Sequence, residues 1–210
     1  MITAQLIGSK LPSIAFGGTA ASGPTNTGAF TFTAVPIGAA AASRLVVIGI
    51  VSITTAAIAT VTIGGIAATL LVRAGTSFPV EFWTAMVPTG TTATIVCTTT
   101  AALFNRVSVT TWALTNLRST TALSTANSIA SPGSVSLTTS PRGFMIALAT
   151  NNINAGTFTW GAAGEDYQVN VSGGNPITRS GYHATTGPST LTVTYAPSTS
   201  IPVMLAASFR

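Results

Sequence analysis

Charge is what this chain has least of. Only 5% of its 210 residues are charged: three acids, Glu81, Glu165 and Asp166, face eight basic residues, and His183 is the single histidine. Acid–base catalysis has little to work with. Glu165 and Asp166 are sequence neighbours, which a strand points to opposite faces. Pairing either with Glu81 for glycoside hydrolysis needs a cleft that the sequence does not announce. A Ser–His–Asp triad can be assembled on paper from Asp166, His183 and a serine, but no Gly-x-Ser-x-Gly elbow occurs, and the chain reads as a non-enzyme. One histidine, one cysteine and no Asp-x-Asp-x-Asp loop leave no metal site to expect. Gly64-Gly65 and Gly173-Gly174 are not followed by helices, so no phosphate cradle and no cofactor are expected either. The lone Cys97 excludes an internal disulfide and fits assembly in a reducing compartment. Helical periods of useful length are missing too.

Scarce acids leave a net charge of +5 and a pI near 10.4. The basic residues are Lys10 and Arg44, Arg73, Arg106, Arg118, Arg142, Arg179 and Arg210, dispersed with no basic run. Nucleic-acid binding needs a concentrated footprint, and none is expected. Dispersed arginines instead suit bidentate anchoring of carboxylates across a protein interface. Arg73, Arg106, Arg118 and Arg179 are the candidates. The uncharged stretch 45–72 exceeds the ~20 residues of a spanning helix. Its Val, Ile and Thr suit strands, however, and it is broken at Ser52 and at Gly64-Gly65, so no membrane span is read there. Lys10 ahead of residues 11–21 is faintly like a signal peptide, yet it sits late, and Pro12 and Gly17-Gly18 interrupt the segment. An arm on an unexported chain is the expectation.

What is present is strand after strand. The stretch 44–65 holds a continuous apolar run, residues 45–51, then an alternating one, Thr60-Val61-Thr62-Ile63. The first reads as a strand buried on both faces and the second as a strand with one wet face. This pair occurs twice: Arg142-Gly143-Phe144-Met145-Ile146 echoes Arg44-Leu45-Val46-Val47-Ile48, 98 positions on, and Thr157-Phe158-Thr159-Trp160 echoes Thr60-Val61-Thr62-Ile63. Residues 92–97 line up with 190–195, Trp83 with Tyr182, the closing strand of Trp112 with that of Phe209, and residues 30–33 with 135–138. An all-β, two-sheet, jelly-roll-like sandwich follows, built from two similar halves of about five strands, residues 29–115 and 134–210, joined by a crossover, 116–133. Residues 1–28, rich in Gly, Ala, Ser and Thr, form an extended arm, laid either on a neighbouring subunit or across its own sandwich. Trp83, Trp112, Trp160 and Cys97 read as core.

Arg44-Leu45-Val46-Val47-Ile48-Gly49-Ile50, the run 61–68, Trp83, the run 87–95 and Ser208-Phe209-Arg210 together resemble small β-rich virion proteins of tailed double-stranded DNA bacteriophages, of the head-decoration and fibre type. The resemblance spans residues 30–210, and its motifs are structural, so no functional residue carries over. It implies a structural virion protein, a capsid decoration or cement protein first and a fibre domain binding a host receptor or glycan second. It also implies a virion location after assembly in the host cytoplasm, with other virion proteins as partners. The scarcity of surface charge agrees, since a freely diffusing domain wants about one-quarter to one-third charged residues on its surface. A homo-oligomer, a trimer in the first instance, is the expected assembly.

Overall fold

The computed structural model describes residues 10–23, 28–53, 58–76, 78–99, 106–130, 132–151, 156–162, 164–171, 177–185, 190–196 and 203–210. Among these, regular structure is entirely antiparallel strand. The first half holds β1 (Ser13–Ala21), β2 (Ala29–Pro36), β3 (Leu45–Ile53), β4 (Ile58–Ile63) and β5 (Ile66–Ala67). It continues with β6 (Thr69–Ala74), β7 (Val80–Met86), β8 (Thr92–Thr99) and β9 (Arg106–Thr115). The pairs are nested: β1 with β9, β2 with β8, β3 with β7, β4 with β5. They lie in two sheets, β1-β9-β3-β7-β6 and β2-β8-β4-β5.

The second half repeats this plan. It comprises β10 (Ser124–Ser128), β11 (Gly133–Ser136), β12 (Phe144–Asn151), β13 (Thr157–Trp160), β14 (Glu165–Val171), β15 (Ile177–Thr185), β16 (Thr190–Ala196) and β17 (Val203–Phe209). Its sheets run β10-β17-β12-β15-β14 and β11-β16-β13, the same order strand for strand, save for β5. Even an irregularity recurs. The ladder β6–β7 shifts between Leu70 and Val72, and the ladder β14–β15 shifts between Glu165 and Tyr167, the corresponding place.

Three apolar cores separate four layers. Val46, Ile48, Ile50, Phe30, Phe32, Val61, Ile63 and Ile95 fill the first sandwich. Met145, Ala147, Phe158, Trp160, Tyr182, Leu191 and Val193 fill the second. Between them, Leu45, Val47, Val51, Phe82 and Trp112 from one five-stranded sheet meet Phe144, Ile146, Leu148 and Leu205 from the other. The larger sheets are therefore covered on both faces. This is why every residue of β3 and β12 is buried, while β2, β8 and β16 alternate with one face in water. The large sheets approach closely at Gly49, where a Cβ would lie 2.8 Å from Leu148 and 3.1 Å from Trp112.

The sandwich architecture is thus doubled: each half closes its own two-sheet sandwich instead of lending strands to one shared core. Two boundaries move with it. Residues 13–21 of the expected arm are β1, an edge strand of the chain's own sheet, and residues 1–9 and 24–27 lie outside the described residues. The expected crossover contains β10, the counterpart of β1. The 98-residue echo is also off by one at its start. Leu45 pairs with Leu114 and Phe144 with Phe209, so Leu45 corresponds to Phe144, 99 positions on.

Candidate docking site

Register alone places the first polar group. Arg73 on β6 pairs with Glu81 on β7, whose carboxylate is fully buried. Glu81 Oε1 accepts from Arg73 Nε at 2.8 Å and Oε2 from Trp83 Nε1 at 2.6 Å, and Arg73 Nη2 donates to the Ile58 carbonyl at 2.7 Å. A charge inside a sandwich is tolerable only with such partners. Arg73 is committed within the chain.

The second group sits where the sandwiches meet. The irregularity after Glu165 re-aims Asp166, as bulges do, and puts it at the place held by Leu71 in the first half. Its Oδ2 accepts from Trp112 Nε1 of the opposite sandwich at 2.7 Å, and its Oδ1 pairs with His183 Nδ1. Beside it, the Tyr167 ring stacks on Phe16 at 5.6 Å, and its hydroxyl bonds Thr110 at 2.5 Å. The hydrogen bond to Asp166 raises the pKa of His183, against the opposing effect of desolvation. Burial raises that of Tyr167 and lowers that of Arg179, each opposed by the nearby charge of the other. Two members of the triad assembled on paper do meet, but among the described residues no serine hydroxyl is bonded to His183. What the cluster does is tie β14 and β15 to the first sandwich.

The third group is on the surface. Antiparallel pairing sets the start of β1 beside the end of β9 (Ser13 opposite Thr115) and the start of β12 beside the end of β17 (Phe144 opposite Phe209). Lys10, Arg118, Arg142 and Arg210 flank those four strand ends and converge on one cleft of about 340 Å³, with Asn116 and Pro141 in its wall. All four cations are exposed. The floor is held by backbone: Arg118 N–H and Ser119 N–H donate to the Arg210 carbonyl at 2.8 and 3.3 Å. Asn116, at a φ of 56°, donates from Nδ2 to the Leu11 carbonyl at 3.1 Å.

Comparison with protein-family models, with curated proteins and with solved structures finds no match to this chain. The candidate residues must therefore be judged on geometry. Arg106 and Arg179, only 5% and 2% exposed, stand on inner-sheet strands whose two faces are both covered. Both are enclosed by the chain's own layers, and Arg73 is held by Glu81. Arg118 alone of the four candidates lies in the cleft. The sequence reading missed Lys10, Arg142 and Arg210, and its picture of dispersed cations gives way to half of them gathered at one end. Arg142 is not the structural equivalent of Arg44. Arg44 is in phase with Val46 and points into the first sandwich, fully buried, where it donates to the Val87, Gly38 and Thr89 carbonyls at 2.6–2.7 Å. Arg142 stands one position earlier relative to the strand, so it faces the other way. The aligned position is Gly143, where a Cβ would lie 2.3 Å from the Phe209 carbonyl oxygen.

Proposed function

We propose that this chain is a structural virion protein of a tailed bacteriophage, a capsid decoration or cement protein that works by protein–protein contacts. The observation that carries the reading is the nested pairing β1–β9, β2–β8, β3–β7, β4–β5, with its near-complete repeat in the second half. One long hairpin of nested pairs rolled into two sheets is the plan of a double-sheet jelly roll, an architecture recurrent in viral capsid and lectin domains. Fold likeness alone is an analogy. The resemblance of residues 30–210 to virion proteins and the cationic cleft, built for contact and not for bond-making, support it from two other directions. The lectin side of the same architecture keeps a second reading, a fibre domain binding a receptor or glycan.

Quantitative mass spectrometry of purified particles separates these. Hundreds of copies per particle are expected of a decoration protein, a handful would mean a fibre, and none would overturn both. We also propose a homo-oligomer, a trimer in the simplest case. Sedimentation of the purified chain as a monomer would refute that part alone.

A further inference from the structure

We propose that the cationic cleft, together with the groove it opens into, binds an extended acidic segment of a different protein. This deepens the docking role proposed above and rests on it for the partner being a protein.

Charge is the first argument. Lys10, Arg118, Arg142 and Arg210 line the cleft without an acidic side chain among them. Counting an α-carboxylate on Arg210 still leaves the lining at +3. Among the described residues none of the four is in an ion pair, whereas Arg73 and His183 both are. Four like charges held together by the pairing of strand ends repel one another, and an anion from outside relieves that repulsion. Arginine forks suit carboxylates in particular.

A second copy of this chain has too few exposed carboxylates to match the four cations. It owns three acids: Glu81 is fully buried, the Asp166 side chain is 4% exposed and held by His183 and Trp112, and only Glu165 is exposed. Residues 1–28 contain no acid at all. The partner is therefore heterologous.

Shape decides what carries the carboxylates. At Lys10 and Asn116 the cleft adjoins a groove of about 490 Å³, walled by residues 39–42, all alanine, and floored by Ala15 and Ala113. Such short side chains leave room for a main chain to lie close, as extended-peptide recognition requires. A nucleic acid would want aromatic faces for its bases beside a basic track. Among the described residues, neither concavity is lined by an aromatic one. Carboxylates in the cleft and small residues along the groove are the pattern expected of the ligand.

The test uses the full chain and a fluorescently labelled peptide of alternating Glu and Ala, followed by anisotropy. Binding that weakens as salt rises is expected. The triple variant Arg118→Ala/Arg142→Ala/Arg210→Ala should weaken it about tenfold or more, with melting unchanged because the three side chains are exposed. Should that variant lose its native melting, Arg142→Glu alone carries the test. Equal binding of a matched Gln–Ala peptide, or equal affinity in the charge variants, overturns the proposal. So does tighter binding of a single-stranded oligonucleotide of equal charge. The peptide result is independent of particle composition. A decoration count of hundreds with no peptide binding sinks this inference alone, and peptide binding by a chain missing from particles sinks only the virion reading.

Discussion

The Cys97 thiol is fully enclosed in the first sandwich, and burial, helped by the charge of Glu81, pushes its pKa up to about 12. Thiolate is the reactive form. A thiol reagent at neutral pH should therefore leave native protein unmodified and label one site once denaturant is added; stoichiometric labelling of the native chain would contradict the burial. His183 has the opposite exposure to chemistry. Its folded pKa lies above the ordinary 6.5, chiefly because it bonds Asp166. The pair's contribution to stability is thus complete below about pH 6.5 and is lost as pH rises through the raised folded value. Melting temperature should fall across that window, and His183→Gln should flatten the profile; an unchanged profile would show that the pair contributes nothing. Sequence revealed Cys97 as core because it falls in phase with Ile95, and Trp160 because it holds the place of Ile63. It hid Asp166, whose orientation depends on a bulge, and a bulge leaves no mark in composition.

Strands were easy to see where chemistry repeats with period two and hard to see where side chains are small. Continuous runs in β3 and β12 and alternation in β2, β4, β8 and β16 follow directly from the burial of each face. Alternation makes a sharp test. Val46, fully buried, and Thr62, half-buried, belong to consecutive strands, β3 and β4, one in each sheet of the first sandwich. Val46→Asp should cost several kcal/mol and unfold the chain, and Thr62→Asp should be mild; equal melting temperatures would refute the facing. The junction between the large sheets has its own probe. Gly49→Val adds atoms where Leu148, Trp112 and Phe82 already press in, and overpacking of this kind costs about 1–3 kcal/mol. Stability equal to the parent by denaturant titration would mean the sheets stand further apart than described. β1, with its Gly-Gly-Thr-Ala-Ala run, passed for a loose arm. Its place in the sheet comes from pairing with β9, a partner 87 or more positions away (Ala21 opposite Ser108) that local pattern does not name.

At the scale of the molecule, duplication was legible and its geometry was not. Order and spacing of the echoes are properties of sequence. Whether two halves share one core or close two is settled by which faces are apolar across the middle. Leu45, Val47, Phe82 and Trp112 against Phe144, Ile146 and Leu148 make that middle a core as dry as the other two. Neither sandwich can be exposed without wetting it. Calorimetry should therefore return one transition, with calorimetric and van't Hoff enthalpies equal, although the chain contains two sandwiches. Two resolved transitions, or a second half that melts unchanged when expressed alone, would show the middle layer to be only a contact.

That middle layer brings together equivalent faces of two like units, as a two-fold dimer does. A dimer of separate chains is bound by its symmetry: a residue altered at one end of the contact is altered at the other, and whatever binds one end binds both. Joining the units covalently lifts that bond. Arg44 can brace the interior of one unit while Arg142, its near counterpart, faces outward from the other. Asp166 can replace what Leu71 supplies elsewhere, once and not twice. The molecule acquires a front and a back, and whatever meets its charged end meets it in a single orientation.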